Sequence, residues 1–239
     1  NRLVVPWFNN SGAKDVFPKM QRKPRLADSE GWVTGEHDSR WDFTGSGPHD
    51  PICKGEPDSD DWRVFMTRSV DQFKINEEKQ FRRFVDPEDL LDEEENVIRT
   101  DSDIILDENH PTVTFRYVTL NDNTRTHIAT MLPESGFIYC KGYIHSVNHE
   151  QGTSTIKLLA LLSYFNSFTC DWWLRRIVDR HVNAPMTNNL PLPEWNREQV
   201  DHACKLASEL TQRGGIETLP GGRAVPKETG YGSADESHI

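Results

Sequence analysis

His145 and His149 stand four residues apart, the interval at which two imidazoles on one helical turn can share a divalent metal. Their neighbours argue against that geometry. Residues 137–145 are rich in aromatic and β-branched side chains, which predicts a strand with His149 in the turn that follows it. Four residues of strand amount to roughly 13 Å of rise, too far apart for chelation. Carboxylates abound, yet no Asp/Glu-x-Lys pair follows an acid on a strand pair, as many metal-dependent nucleases require. The acid-rich run 86–103 lacks EF-hand spacing and predicts a solvated helix plus loop. Cys53, Cys140, Cys170 and Cys204 are scattered, with no CxxC pair, so neither a zinc site nor a disulfide framework is suggested. Glycine-rich phosphate loops, a G-x-S-x-G elbow and the Asn/Asp-Pro-Pro-Tyr/Phe loop of amino-methyltransferases are all missing from the sequence. No catalytic residue, metal ligand or cofactor site is therefore assigned to this chain.

The elements that must position any remaining chemistry are legible in outline. Strands are expected at 62–66, around Val113, Phe115, Tyr117 and Val118, at 127–131 and at 137–145, as an antiparallel meander. The apolar stretch 156–178 predicts one long helix, buried on most sides by Leu158, Leu159, Leu162, Phe165, Phe168, Trp172 and Ile177. A second helix should start at Asn196 as N-cap, with Gln199 completing a capping box, and stop at Gly214-Gly215. The expected fold class is α+β: a mainly antiparallel sheet, two C-terminal helices and long irregular loops. Residues 1–213 form the domain, with irregular acidic excursions at 28–61 and 86–110, and 214–239 read as a flexible tail.

The 239 residues carry a net charge of −11, which taken whole argues against a partner as negative as DNA. The charge is unevenly spread. Residues 28–61 hold ten acids and two bases, and 86–110 hold eleven acids and one Arg, whereas 1–27 hold six bases and one acid. Two acidic blocks supply more than the entire excess, and the remainder is mildly basic. No apolar run approaches the roughly 20 residues of a membrane span, so a soluble cytoplasmic protein with no membrane partner is expected.

The most distinctive stretch runs from Leu158 through Ser163-Tyr164-Phe165-Asn166-Ser167-Phe168 to Asp171-Trp172-Trp173-Leu174-Arg175-Arg176. It continues with His181-Val182-Asn183 and closes on Leu190-Pro191-Leu192-Pro193. A second block comprises Phe115-Arg116-Tyr117-Val118, then Thr124-Arg125-Thr126-His127-Ile128-Ala129 and Leu132-Pro133. In this order the two blocks resemble the C-terminal target-recognition region of large single-chain DNA N6-adenine methyltransferases. These are the Type IIG and Type ISP restriction–modification enzymes and the related phage-defence methylases of the BREX and DISARM kinds. Weaker echoes lie at Leu3–Pro6, Val16–Pro18 and Phe65–Phe73, where Thr67-Arg68-Ser69 depart from the family's Gly-Lys pattern.

The resemblance implies a sequence-reading part of a larger enzyme. Its partners would be double-stranded DNA and the parent's methyltransferase domain, which precedes this region in the family and binds S-adenosylmethionine. It implies that Arg116 and Arg125 meet phosphates or guanine edges, with an internal ion pair to Asp122, Asp171 or the acidic block as the other reading. Base readers are expected among polar loop residues: Asn121, Asn123, Lys141, His145, Asn148 and Gln151. Lys19, Arg22, Lys23 and Arg25, with Arg82 and Arg83, are candidate phosphate contacts. The other motif residues build the frame. Asp171 and Arg175 should pair at i,i+4, Asn166 and Ser167 should bond an adjacent loop, His181 and Asn183 should cap the next segment, and Pro191 and Pro193 should hold an extended exit. A function of a different class also fits the composition: an acidic protein-interaction domain that mimics DNA or docks a basic partner.

Overall fold

The computed structural model describes residues 11–29, 31–35, 53–76, 84–90, 111–119, 123–134, 136–139, 142–146, 153–178 and 180–226. One apolar helix, the amphipathic last helix and the larger of two small sheets share one core, and the class is α+β. The first sheet has strands β1 (Trp32–Gly35), β6 (Thr112–Phe115), β7 (Ala129–Met131) and β9 (Tyr143–Ser146), in the order β1-β9-β6-β7 and antiparallel throughout. The second contains β2 (Trp62–Met66), β5 (Phe84–Val85) and β8 (Gly136–Tyr139), in the order β5-β2-β8. Between β2 and β5 in sequence lies a two-residue-strand hairpin, β3 (Val70–Asp71) and β4 (Lys74–Ile75).

Helix α2 (Thr153–Phe165) lies between the first sheet and the last long helix, α5 (Arg197–Arg213). Its leucines Leu158, Leu159 and Leu162 are fully buried, each burial contributing roughly 1.5–3 kcal/mol. α5 approaches closely because its inward stripe is small: Val200, Ala203, Cys204, Ala207 and Ser208. Its start is the capping box read from the sequence. Asn196 Oδ1 accepts from the Gln199 amide at 2.9 Å, and Gln199 Oε1 accepts from the Asn196 amide at 3.0 Å.

Three expectations are corrected. The apolar stretch 156–178 is not one helix. It breaks at Asn166-Ser167 into α2 and a short α3 (Phe168–Leu174), because Ser167 takes an extended backbone and its Oγ caps the new helix at the Cys170 amide, 3.1 Å away. The stretch 137–145 is not one strand, and the antiparallel meander is interrupted there. β8 pairs parallel with β2 while β9 joins the first sheet, and the chain crosses from one sheet to the other near Gly142. A Cβ at Gly142 would lie 2.4 Å from the Phe115 ring, so only glycine lets this crossing pass the core. Residues 214–226, which composition assigns to the tail, are folded. β10 (Thr218–Leu219) and β11 (Arg223–Ala224) form a hairpin turned by Gly221 and Gly222 at positive φ, with Ile216, Leu219 and Val225 buried in the core.

The N-terminal helix α1 (Ser11–Gln21) docks through Phe17, whose ring stacks on Trp173 at 4.4 Å. The chain after it is tied to residues 190–192. The Leu26 amide donates to the Leu190 carbonyl at 3.1 Å, and the Leu192 amide donates to the Pro24 carbonyl at 2.8 Å. A five-residue helix α4 (Ala184–Asn188) precedes that junction.

Candidate nucleic-acid interface

The break between α2 and α3 organises the centre of the molecule. Asn166, ending the apolar run, turns its amide onto the backbone of Ala129 in β7. Its Oδ1 accepts from the Ala129 amide at 3.1 Å and its Nδ2 donates to the Ala129 carbonyl at 2.9 Å. The side chain thus replaces a neighbouring strand at the sheet edge, which is why a buried asparagine is tolerated in this apolar helix. The Gln72 side chain at the tip of the β3–β4 hairpin reaches the same Oδ1 at 3.4 Å. Arg116 Nε donates to the Val70 carbonyl at 2.6 Å and so ties that hairpin to the end of β6.

One turn along α3, the buried Asp171 carboxylate accepts the Thr126 amide at 2.5 Å and Arg175 Nε at 2.8 Å. Arg175 then donates through Nη2 to the carbonyls of Asn123, at 2.5 Å, and Thr124, at 3.0 Å. A single acid–base pair therefore holds the turn 123–126 by three backbone groups. His127 lies just inside, between the rings of Phe115 and Phe165, 5.2 and 4.6 Å away. Burial depresses its pKa to about 4, so it is neutral at pH 7.

The expected frame residues take related positions. Asn183 Oδ1 caps α4 at the Met186 amide, 3.0 Å away. His181 does not cap that helix. Its ring stacks on Tyr117 at 4.5 Å and its backbone bridges Val118. Pro191 bridges Arg25, and its carbonyl accepts the Tyr164 hydroxyl at 2.5 Å; Pro193 follows on the same exit.

The expected contact residues separate into two sets. Arg25, half-buried, is tied to its own fold: Nη2 donates to the Gln21 carbonyl at 2.7 Å, Nη1 donates to the Asn189 carbonyl at 3.3 Å, and the guanidinium lies 5.3 Å from the Trp173 ring centre. Lys23 pairs with Glu194 at 2.6 Å. Lys19 and Arg22 are exposed, with no ion pair among the described residues. Neither Arg116 nor Arg125 forms the internal ion pair weighed above with any described acid. Arg116 serves a backbone carbonyl, and Arg125 stacks on the Phe168 ring at 3.7 Å. His145 is not in a loop. It lies within β9, opposite Val33 on one side and Thr112 on the other. Asn123 closes its own turn, its Nδ2 donating to Thr119 Oγ1 at 3.3 Å. Arg82, Arg83, Asn121, Lys141, Asn148 and Gln151 lie outside the described residues.

Residues to which the sequence reading gave no role complete the site. Gln72 reaches Asn166 across 94 residues, and Thr126, inside the second block, meets Asp171 across 45. Arg176 lies over the Trp172 ring at 4.5 Å, with its pKa lowered by burial and by the adjacent Arg175. Burial pushes the thiol of Cys204 up to about 12 and raises that of Cys170 further, so neither is a thiolate nucleophile at neutral pH. Among the described residues, no group of three or more His, Cys, Asp or Glu could hold a metal ion. No described helix is long and apolar enough to cross a membrane. The arrangement supplies a rigid scaffold and exposed cations, which suits binding. No family of known proteins matches the chain, and no curated protein matches its sequence.

Proposed function

We propose that this chain is the DNA target-recognition domain of an N6-adenine methyltransferase of the restriction–modification or phage-defence kind. In this reading S-adenosylmethionine and the reacting adenine are held by a methyltransferase domain of the parent protein. The observation that carries it is the pair of motif blocks, 115–133 and 158–193, which resemble that family in sequence and meet around Asn166, Asp171 and Arg175. The frame residues hold the turn 123–126 by its backbone and leave its outer surface to Arg125, while Lys19 and Arg22 stand exposed on and beside α1. Backbone-held turns on a rigid scaffold are where sequence readers belong, and exposed cations supply register on the phosphates.

The test uses the parent protein with its methyltransferase domain. Its methylated motif is found by sequencing modified DNA, and binding to motif and scrambled duplexes is followed by fluorescence anisotropy over a salt series. Charge reversal at both Lys19 and Arg22 should weaken both duplexes alike and reduce the salt slope by about 1–2. Arg125→Ala should narrow the gap between motif and scrambled DNA. A parent that methylates no DNA, or unchanged slopes and gaps in these variants, would overturn the assignment.

A further inference from the structure

The outer face of α3 and the adjoining side of α1 enclose a groove of about 420 Å³ lined by Gly12, Ala13, Val16, Met20, Phe168, Thr169 and Trp172. This volume lies within the roughly 300–1,000 Å³ typical of binding clefts. Two of its walls are unusually open for large apolar side chains: Phe168 is 78 % exposed and Val16 is 44 % exposed. Phe168 and Trp172 are one turn apart on the same face of α3, opposite the face that Cys170, Trp173 and Leu174 bury in the core.

Each aromatic wall carries a guanidinium on its ring, Arg125 over Phe168 and Arg176 over Trp172. The Arg125 and Arg176 side chains are half-buried, and neither guanidinium group makes a hydrogen bond or ion pair with a described residue. The groove lining contains no carboxylate, so nothing within it neutralises these cations. Burial and the neighbouring Arg175 charge both work against protonation of Arg176, a cost that an arriving anion would relieve.

We infer that this groove receives an amphipathic helix of a partner protein, with its apolar ridge on Val16, Met20, Phe168 and Trp172 and its acidic flank against Arg125 and Arg176. The floor decides between a protein and a nucleic-acid strand. Apart from the Thr169 hydroxyl and the Trp172 indole N–H, the lining side chains offer no donors or acceptors for a base edge, and Val16 and Met20 are aliphatic rather than stacking surfaces. A ridge with apolar residues at i, i+3, i+4 and i+7 fills such a floor, and carboxylates on its flank complete the unpartnered guanidinium groups. The inference does not depend on the proposed DNA reading.

The probe is a fluorescein-labelled synthetic helical peptide with leucines at i, i+3, i+4 and i+7 and glutamates flanking them. A lysine-flanked counterpart and a single-stranded oligothymidine serve as comparisons, all titrated into the full chain by anisotropy. The glutamate peptide should bind more tightly than both, and less so as salt rises. Phe168→Ala should weaken it about tenfold, as loss of an aromatic anchor does. Arg176→Gln should abolish the preference for glutamate over lysine. Circular dichroism and thermal melting must show both variants folded, which the exposure of Phe168 makes the expected result. Equal binding of the two peptides, tighter binding of the oligothymidine, or unchanged affinity in folded Phe168→Ala would each overturn the inference.

Discussion

On the inner side of α3, Asp171 receives the Thr126 amide and the Arg175 guanidinium, and Arg175 continues to the Asn123 and Thr124 carbonyls. On the outer side, the Arg176 guanidinium lies over Trp172 and that of Arg125 over Phe168, each with a buried nitrogen that no described residue meets. Arginines adjacent in sequence therefore have opposite roles. Arg175 positions a turn by directional bonds to backbone oxygen, and Arg176 rests on an aromatic face with no described acceptor for its side chain. A count of basic residues cannot make this distinction; partner geometry can.

The contrast predicts a ranking of effects. The largest belongs to the inner side. Asp171→Ala leaves a buried amide and a part-buried guanidinium without their acceptor, and it should cost about 3–5 kcal/mol, read as a lower urea midpoint with unchanged slope. Next comes the buried imidazole behind the same turn. Because the folded protein holds His127 near pKa 4 against an ordinary 6.5, protonation favours the unfolded chain. Its stabilising contribution is complete above about pH 6.5 and is lost as pH falls toward 4, up to roughly 3 kcal/mol. Unfolding free energies of wild type and His127→Leu measured from pH 7 to 4 should diverge in slope across that window, and parallel curves would contradict the burial argument.

Gly142→Ala tests the crossing between sheets. The Phe115 ring has to yield to the new methyl group, at about 1–3 kcal/mol, visible as a lowered melting temperature. The smallest effect belongs to the surface. Lys23→Ala removes an exposed pair with Glu194 and should change stability by less than about 1 kcal/mol, diminishing further in high salt. A Lys23 effect as large as that of Asp171 would break the distinction between the two sides.

Features fixed by near neighbours were legible in the sequence. The Asn196 capping box, the Asp171–Arg175 pair and the Asn183 cap all close within four residues. Features fixed by distant partners were not. The Ser167 cap that restarts the helix closes within three residues and was readable, but the Ala129 backbone that Asn166 meets lies 37 residues earlier and was not. The stretch 137–145 divides because β2, some 70 residues back, claims its first half as a parallel neighbour. The Lys19–Arg25 run shows the same limit: its charge is visible in the sequence, but the Asn189 carbonyl, 164 residues on, that takes one Arg25 donor is not.

The backbone junction between 24–26 and 190–192 also orders the folding reaction. Leu26 and Leu190 are 164 residues apart, so α1, synthesised early, has no seat until α2, α3 and the Leu190–Pro193 exit exist. Contacts of such long sequence separation form late and slowly. During synthesis Phe17 and Leu26 remain uncovered while most of the chain is made, which places the greatest exposure to aggregation or chaperone capture at the N-terminal end of the described fold.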